Sequence, residues 1–551
     1  MVSSGFGSVL NHWSNQKMKT KRWLFQICLL AAAMLPPVVG RAQFSFTTNN
    51  GAITLTGCPG NPTALNIPST TNGYPVTSIG NLAFSNYLTV QSVIIPDSVT
   101  NIGTGAFQSC LSLTNLTLGN GVVNIGTSAF QSCTNVASMT IPDSVVTMGD
   151  SVFFRCTGLT NVFLGSRVTN IGTQAFSGCS NLCSINIPNS VGGIGTNAFT
   201  FCSSLTSLIV PSNVSSIGYG AFYGCSGLTN LPVGIGVTSL GYAAFGFCTN
   251  LTSMAIPDSV TNIGSDAFDY CTSLTNIAIG HGVISLGDAA FHSCVNLASI
   301  VIPNNVTTIG NDAFWFCTNL ETISIGSGVT NIGTNSFDWC LSLAAITVDA
   351  GNPAYCDVNG VLFDKSQTTL IRFPTSRGGS YLVPDAVTNI VASAFSDDGF
   401  LTSVKIPDSV TMIPASAFED CESLSSFYFR GSPPGVDATA FNFDTNAIVY
   451  YLPGTFGWGT TYGGLITAVW NPQAQTGDGS FGVQANQFGF NITGASNLVI
   501  VVEACTNLAS PTWVPVSTNT LNTVVGTNAT SYFSDAQWTN YPSRYYRPRS
   551  P

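Results

Sequence analysis

Residues 98–110 read SVTNIGTGAFQSC, and at 121–133 nearly the same words return as GVVNIGTSAFQSC. The phenylalanine marks a ruler. Starting from Phe84, every twenty-third residue is phenylalanine as far as Phe337, through Phe107, Phe130 and Phe176, and after an insertion of 35 residues Phe395, Phe418 and Phe441 resume the interval. Eleven cysteines keep the same phase three residues after the phenylalanine, among them Cys110, Cys133, Cys156 and Cys179, and Cys421 rejoins them. Self-similarity at such a period is the mark of a stacked array, because one turn of this length cannot bury its own apolar side.

Within one period the apolar residues change spacing. Leu113, Leu116 and Leu118 end in alternation, as a strand with one buried face does, and Ile-Pro often closes this piece because proline cannot donate to a sheet ladder. Val122, Ile125, Ala129 and Phe130 then return the chain to the next turn. The pattern predicts one strand at L-x-x-L-x-L, a brief extended piece at VTNIG and a single helical or 3₁₀ turn at TGAFQS. Glycine stands four residues before the phenylalanine from Gly80 to Gly333, which predicts a close approach or a backbone conformation that a Cβ would obstruct.

The stretches IPDSVTNIGSDAFDYCTSLTNI (256–277) and LTSVKIPDSVTMIPASAFEDCESL (401–424) resemble the repeats of the BspA-like, or Treponema-type, leucine-rich-repeat family. The resemblance spans roughly residues 44 to 470. It implies a right-handed, β-rich superhelix of about fifteen 23-residue repeats with a parallel sheet on its concave side. At about 4.8 Å per stacked strand the array would be on the order of 70 Å long. Some members adhere to host or environmental macromolecules, so the resemblance also implies a secreted or cell-surface binding protein.

The rest of the chain divides around the array. Residues 1–42 read as an export signal, with Lys17, Lys19, Lys21 and Arg22 ahead of an apolar run and Gly40-Arg41-Ala42 as the cleavage site. Residues 43–75 read as an N-terminal cap, 76–348 and 384–452 as repeats, 349–383 as a protruding β-hairpin, 453–474 as a C-terminal cap and linker, and 475–551 as a small β-sandwich-like domain. Without the leader, ten basic residues face 25 acidic ones, a formal charge of −15. A nucleic-acid binder needs a cationic surface to displace counterions from phosphates, and no basic residue lies between Arg167 and Lys365. No segment after the leader reaches the ~18 apolar residues of a membrane span.

Motifs for chemistry are missing. His281 and His292 read as isolated surface histidines, and no phosphate-binding loop, nucleophile elbow or cofactor-binding motif is present, so the expectation is a non-enzymatic protein without cofactor or metal. Stacked cysteines would form a line, where zinc needs a tetrahedron. They read as a buried ladder of free thiols; disulfides between adjacent repeats are the alternative, since strand spacing lies within the bridging range.

Three surfaces are candidates for binding protein or glycan. Outward positions of the predicted strands, such as Thr114, Asn115, Thr117, Ile209 and Val301, predict a flat neutral face rich in hydroxyls. Two residues after the ladder phenylalanine stand Phe201, Phe247, Tyr270, Phe316 and Trp339, with Trp315 alongside, an aromatic stripe if they point outward. The insertion carries Lys365, Arg372 and Arg377 in an otherwise acidic array, which makes it a candidate contact site, with a decorated repeat that has no partner as the other reading. Adhesion leads these readings; a polysaccharide-binding module and a structural envelope or matrix component are the alternatives.

Overall fold

A computed structural model describes residues 44–549 apart from 445, 453, 471, 495–498 and 522–528, so the leader at 1–42 lies outside the described residues. Each period of the repeat contributes two strands that pair in parallel with the same positions of the next. Long strands such as Ser138–Thr140 align with Asn161–Phe163, and two-residue strands such as Asn101–Ile102 align with Asn124–Ile125. The result is a β-solenoid of about seventeen turns with almost no helix. It exceeds the fifteen phenylalanine marks because the caps join the stack: Ala64–Asn66 pairs with Ser92–Ile94, and Leu465–Val469 pairs with Ile448–Tyr451. At the N-terminal end, Ser45–Asn49 folds antiparallel onto Ala52–Gly57.

A third wall is made by the phenylalanine turn. Alternate N–H groups donate to the next repeat, Leu82 to Thr104 O, Phe84 to Ala106 O and Asn86 to Gln108 O, each at 2.8 Å, while Ala83 and Ser85 donate back three residues. The expected helical turn therefore exists as 3₁₀-type bonds. It does not become a helix because the residues two before and two after the phenylalanine are left-handed, as Leu82 (φ 56°) and Asn86 (φ 61°) show. The invariant glycine is explained by close approach: a Cβ on Gly126 would lie 2.7 Å from the backbone nitrogen of Thr104 in the previous turn.

The core is a column of rings beside a column of thiols. Phe199, Phe222 and Phe245 are fully buried and stack at 5.3 and 5.5 Å, nearly parallel. Each column cysteine donates its S–H to the carbonyl of the ladder phenylalanine one repeat earlier, Cys133 to Phe107 O at 3.2 Å and Cys225 to Phe199 O at 3.1 Å. A thiol suits this place because it is small, apolar enough for the core and still a weak donor. Aspartates replace it twice, at Asp398 and Asp444, where burial pushes the carboxyls up to about 6 and about 7.

The insertion does not protrude. Tyr355–Val358, Val361–Asp364 and Thr369–Arg372 form an antiparallel meander whose last strand pairs in parallel with Asn389–Ile390. Val361, Leu362, Phe363 and Leu370 are fully buried, so the segment fills the stack between two runs of repeats. Phe373 continues the ring column, 5.2 Å from Phe395, but stands one position closer to it in sequence than the period allows, a slip that hides it from the ruler.

Two sheets follow the solenoid, one centred on Gln487–Gly494 and the other on Val499–Cys505. Their core, with Phe490, Ile492, Ile500, Val502 and Phe533, continues into Tyr428 and Tyr450 of the last long strands. The stretch read as a linker takes part, since Gln473–Ala474 pairs with Gln487–Gly494.

Candidate functional site

The outward face of the long strands is as the alternation predicts. Thr114, Asn115 and Thr117 are exposed, and Ile209 (70%) and Val301 (66%) stand out among them. They line neither of the two depressions described below. The turn edge is different, because there the non-repeating side chains meet.

Phe201 and Tyr270 are exposed, while Phe247, Trp315 and Phe316 are half-buried. The stripe is continuous where its own column is interrupted. Gly224 and Ser293 stand in the aromatic column, and in those two repeats the preceding residue supplies the ring, as Tyr223 and His292. Tyr223 lies 5.6 Å from Phe201 and 5.2 Å from Phe247, Phe247 stacks on Tyr270 at 4.7 Å, and His292 stacks on Trp315 at 4.8 Å. Trp315 and Phe316 then meet Trp339. Glycines make room: a Cβ on Gly224 would come within 2.5 Å of the Phe201 ring, and one on Gly246 within 3.0 Å of Tyr223.

These rings sit on strained backbone. Phe201, Phe247, Tyr270, Phe316 and Trp339 all have left-handed φ of 54–60°, at a position where other repeats carry Asn86, Ser109 or Gly178. Bulky residues rarely take this conformation, and such strain costs on the order of 1–3 kcal/mol per site. The left-handed conformation belongs to the column, being shared by Asn86, Ser109, Arg155 and Phe443, and small residues also serve there.

A second aromatic row runs beside the first. Tyr219 and Tyr242, three residues before the ladder phenylalanine, stack at 4.9 Å and are both exposed. Between the rows lies a cleft of about 530 Å³, floored by Gly220 and Ala243, with Phe154 and Arg155 at one end and Asp266 and Asp269 at the other. Asp266 beside Tyr242 pushes its phenol up to about 12. A second depression continues past Asp269 to His292, Asp312 and Trp315.

His292 is therefore not isolated. Its Nδ1 lies 2.6 Å from Asp269 Oδ1. Other recurring aspartates are structural: Asp258 and Asp288 accept a backbone N–H from the next repeat, of His281 and Asn311. The basic residues of the insertion divide, since Lys365 and Arg377 are exposed and Arg372 is not. Lys365 is exposed and donates to Ala350 O, but Arg372 is buried, donating to Asp338 at 2.7 Å, Ser393 O at 2.5 Å and Ser396. It occupies the place where neighbouring repeats carry alanine, as at Ala394, so its charge serves the core.

Burial pushes Cys156, Cys225 and Cys340 up to about 12, far from the thiolate that attack requires. No helix among the described residues is long and apolar enough to cross a membrane.

The model of the BspA-type leucine-rich-repeat region matches residues 61–183, 124–252, 238–355 and 379–456, well over half of the chain. A leucine-rich-repeat protein from Bacteroides ovatus is 25% identical, with a TM-score of 0.51, over 79% of this chain and 100% of that one. A leucine-rich cell-surface protein from Faecalibacterium prausnitzii is 23% identical over 79% of this chain and 95% of that one, with a TM-score of 0.31. The leucine-rich-repeat protein of T. pallidum is 23% identical over 46% and 87%, with a TM-score of 0.21. A comparison with curated proteins returns no match. With its repeat, its ring and thiol columns and this match in hand, the chain belongs to the BspA-type leucine-rich-repeat family.

Proposed function

We propose that the chain is an exported, surface-exposed and non-enzymatic binding protein that holds a macromolecular partner on its turn edge. The observation that carries this reading is the aromatic edge itself. Five bulky rings occupy left-handed backbone in seven consecutive repeats, and small residues at the same position suffice elsewhere. Large rings on a backbone that disfavours them, where smaller residues also fold, point to a use outside the fold. The export signal read at 1–42 and membership of the BspA-type family support the location. The Bacteroides ovatus relative supports the solenoid.

The test compares faces. The full chain is applied to an array of extracellular-matrix proteins and glycans beside two variants, Tyr242→Ser with Phe247→Ser on the edge and Ile209→Ser with Val301→Ser on the long strands. Exposed anchors of this kind are expected to lower retention at least ~10-fold on the edge, while the strand variant binds as the parent does. Loss only in the strand variant would move the site to the sheet, and no retention of any chain would favour a structural envelope role.

A further inference from the structure

The cleft has a shape, a floor and two unlike ends, and together they specify an occupant. Its walls are the Tyr219–Tyr242 pair and the row of Phe201, Tyr223 and Phe247. Its floor is low because Gly220 and Ala243 carry almost no side chain. The slot is open to solvent, and Gln174, Ser177, Asn197 and Thr200 line it beside the rings.

Ring orientation differs between the walls. Tyr219 and Tyr242 are 12° from parallel at 4.9 Å, so each spends one face on the other. In the facing row Tyr223 stands at 82° to Phe201 and 51° to Phe247, so that wall offers both edges and faces. Rings on both sides of a low floor accept aliphatic side chains of an extended chain.

Charge sets the direction. Arg155, at one end, is exposed, and Arg167 is the only other cation between Arg41 and Lys365. Asp266 and Asp269 stand at the other end. One carboxylate offers about four acceptor sites, so His292 leaves Asp269 capacity for an incoming cation. Arg155 and Asp269 lie five repeats apart, roughly 24 Å at strand spacing, which is about seven residues of extended chain.

We propose, on the reading that the turn edge is the binding face, that this cleft takes an extended peptide segment of about seven residues. The segment is acidic at the Arg155 end, aliphatic over Gly220 and Ala243, and basic at the Asp266–Asp269 end. Main-chain length fits the span, side-chain packing supplies affinity and the charge pair fixes polarity.

The experiment is selection of a displayed random peptide library, long enough to span the cleft, on the full folded chain. Counter-selection uses the Tyr242→Ser, Phe247→Ser variant, whose unchanged thermal midpoint shows that it folds. Enriched peptides are expected to carry Asp or Glu near one end, Lys or Arg near the other and aliphatic residues between. Repeating the selection on Arg155→Glu should remove the acidic end from the enriched set, and Asp269→Asn should weaken the chosen peptides about tenfold. Peptides without charge polarity, or equally enriched on the counter-selection variant, overturn the proposal. No enrichment alongside edge-dependent retention on glycans also overturns it, leaving the edge as a binding face; array retention that ignores the edge variant defeats the broader reading instead.

Discussion

Arg372→Ala is expected to destabilise the chain by about 3–5 kcal/mol, the cost of leaving buried carboxylates without their cation. Arg372 is 3% exposed and bonds Asp338 on the last turn before the insertion, and Ser393 and Ser396 on the first turn after it, with Asp397 at 3.8 Å. It is the bolt across the break in the repeat. Burial pushes the Asp338 and Asp397 carboxyls up and the Arg372 charge opposes that rise, so removing the arginine raises both further. A folded-state pKa above the unfolded value favours folding at low pH and loses that support as pH rises through it. The deficit should therefore be largest near about pH 8 and shrink toward about pH 5 in urea denaturation. A deficit below ~1 kcal/mol at both would show that the pair is not held as described. Arg372→Lys keeps the charge but loses the two-nitrogen fork, and should fall between.

Phe222→Ala should cost a comparable ~3–5 kcal/mol, because a fully buried ring leaves a cavity that flanking turns cannot close. It also removes two stacked contacts, to Phe199 and Phe245. In a solenoid each turn touches only its neighbours, so the weak turn divides the cooperative unit. Calorimetry should show the single transition broadening or splitting, with Phe222→Leu milder. An unchanged transition would mean that the ring column is not what couples the turns.

How much of this was legible in the sequence depended on whether a residue obeys the period. The strands, ring column, thiol column and close-approach glycines recur in most turns and are visible as a pattern. Phe373 is not, because the meander before it shortens the interval to Phe395 by one position. Arg372 looked like a surface charge because its partners, Asp338 and Asp397, lie on opposite sides of the insertion, far from it in sequence. On the edge, Phe201, Phe247 and Tyr270 shared one column and were found. Tyr223 and His292 sit one residue earlier, and Tyr219 and Tyr242 five residues earlier, in columns never read together. A signal existed: Tyr223 and His292 are aromatic in the repeats where the main column holds Gly224 and Ser293.

Assigning function to residues that break the repeat requires that the repeated ones be packing, and the cysteines are where that can fail. All sixteen described cysteines are free, and those of the column donate to backbone carbonyls. Alkylation without reductant, followed by peptide mass spectrometry, tests this directly. In the native chain the exposed Cys183 should be labelled and Cys133 through Cys340 of the column should not. After unfolding, every column cysteine should carry one alkyl group. Peptides joined between adjacent repeats, such as Cys225 to Cys248, would contradict the account.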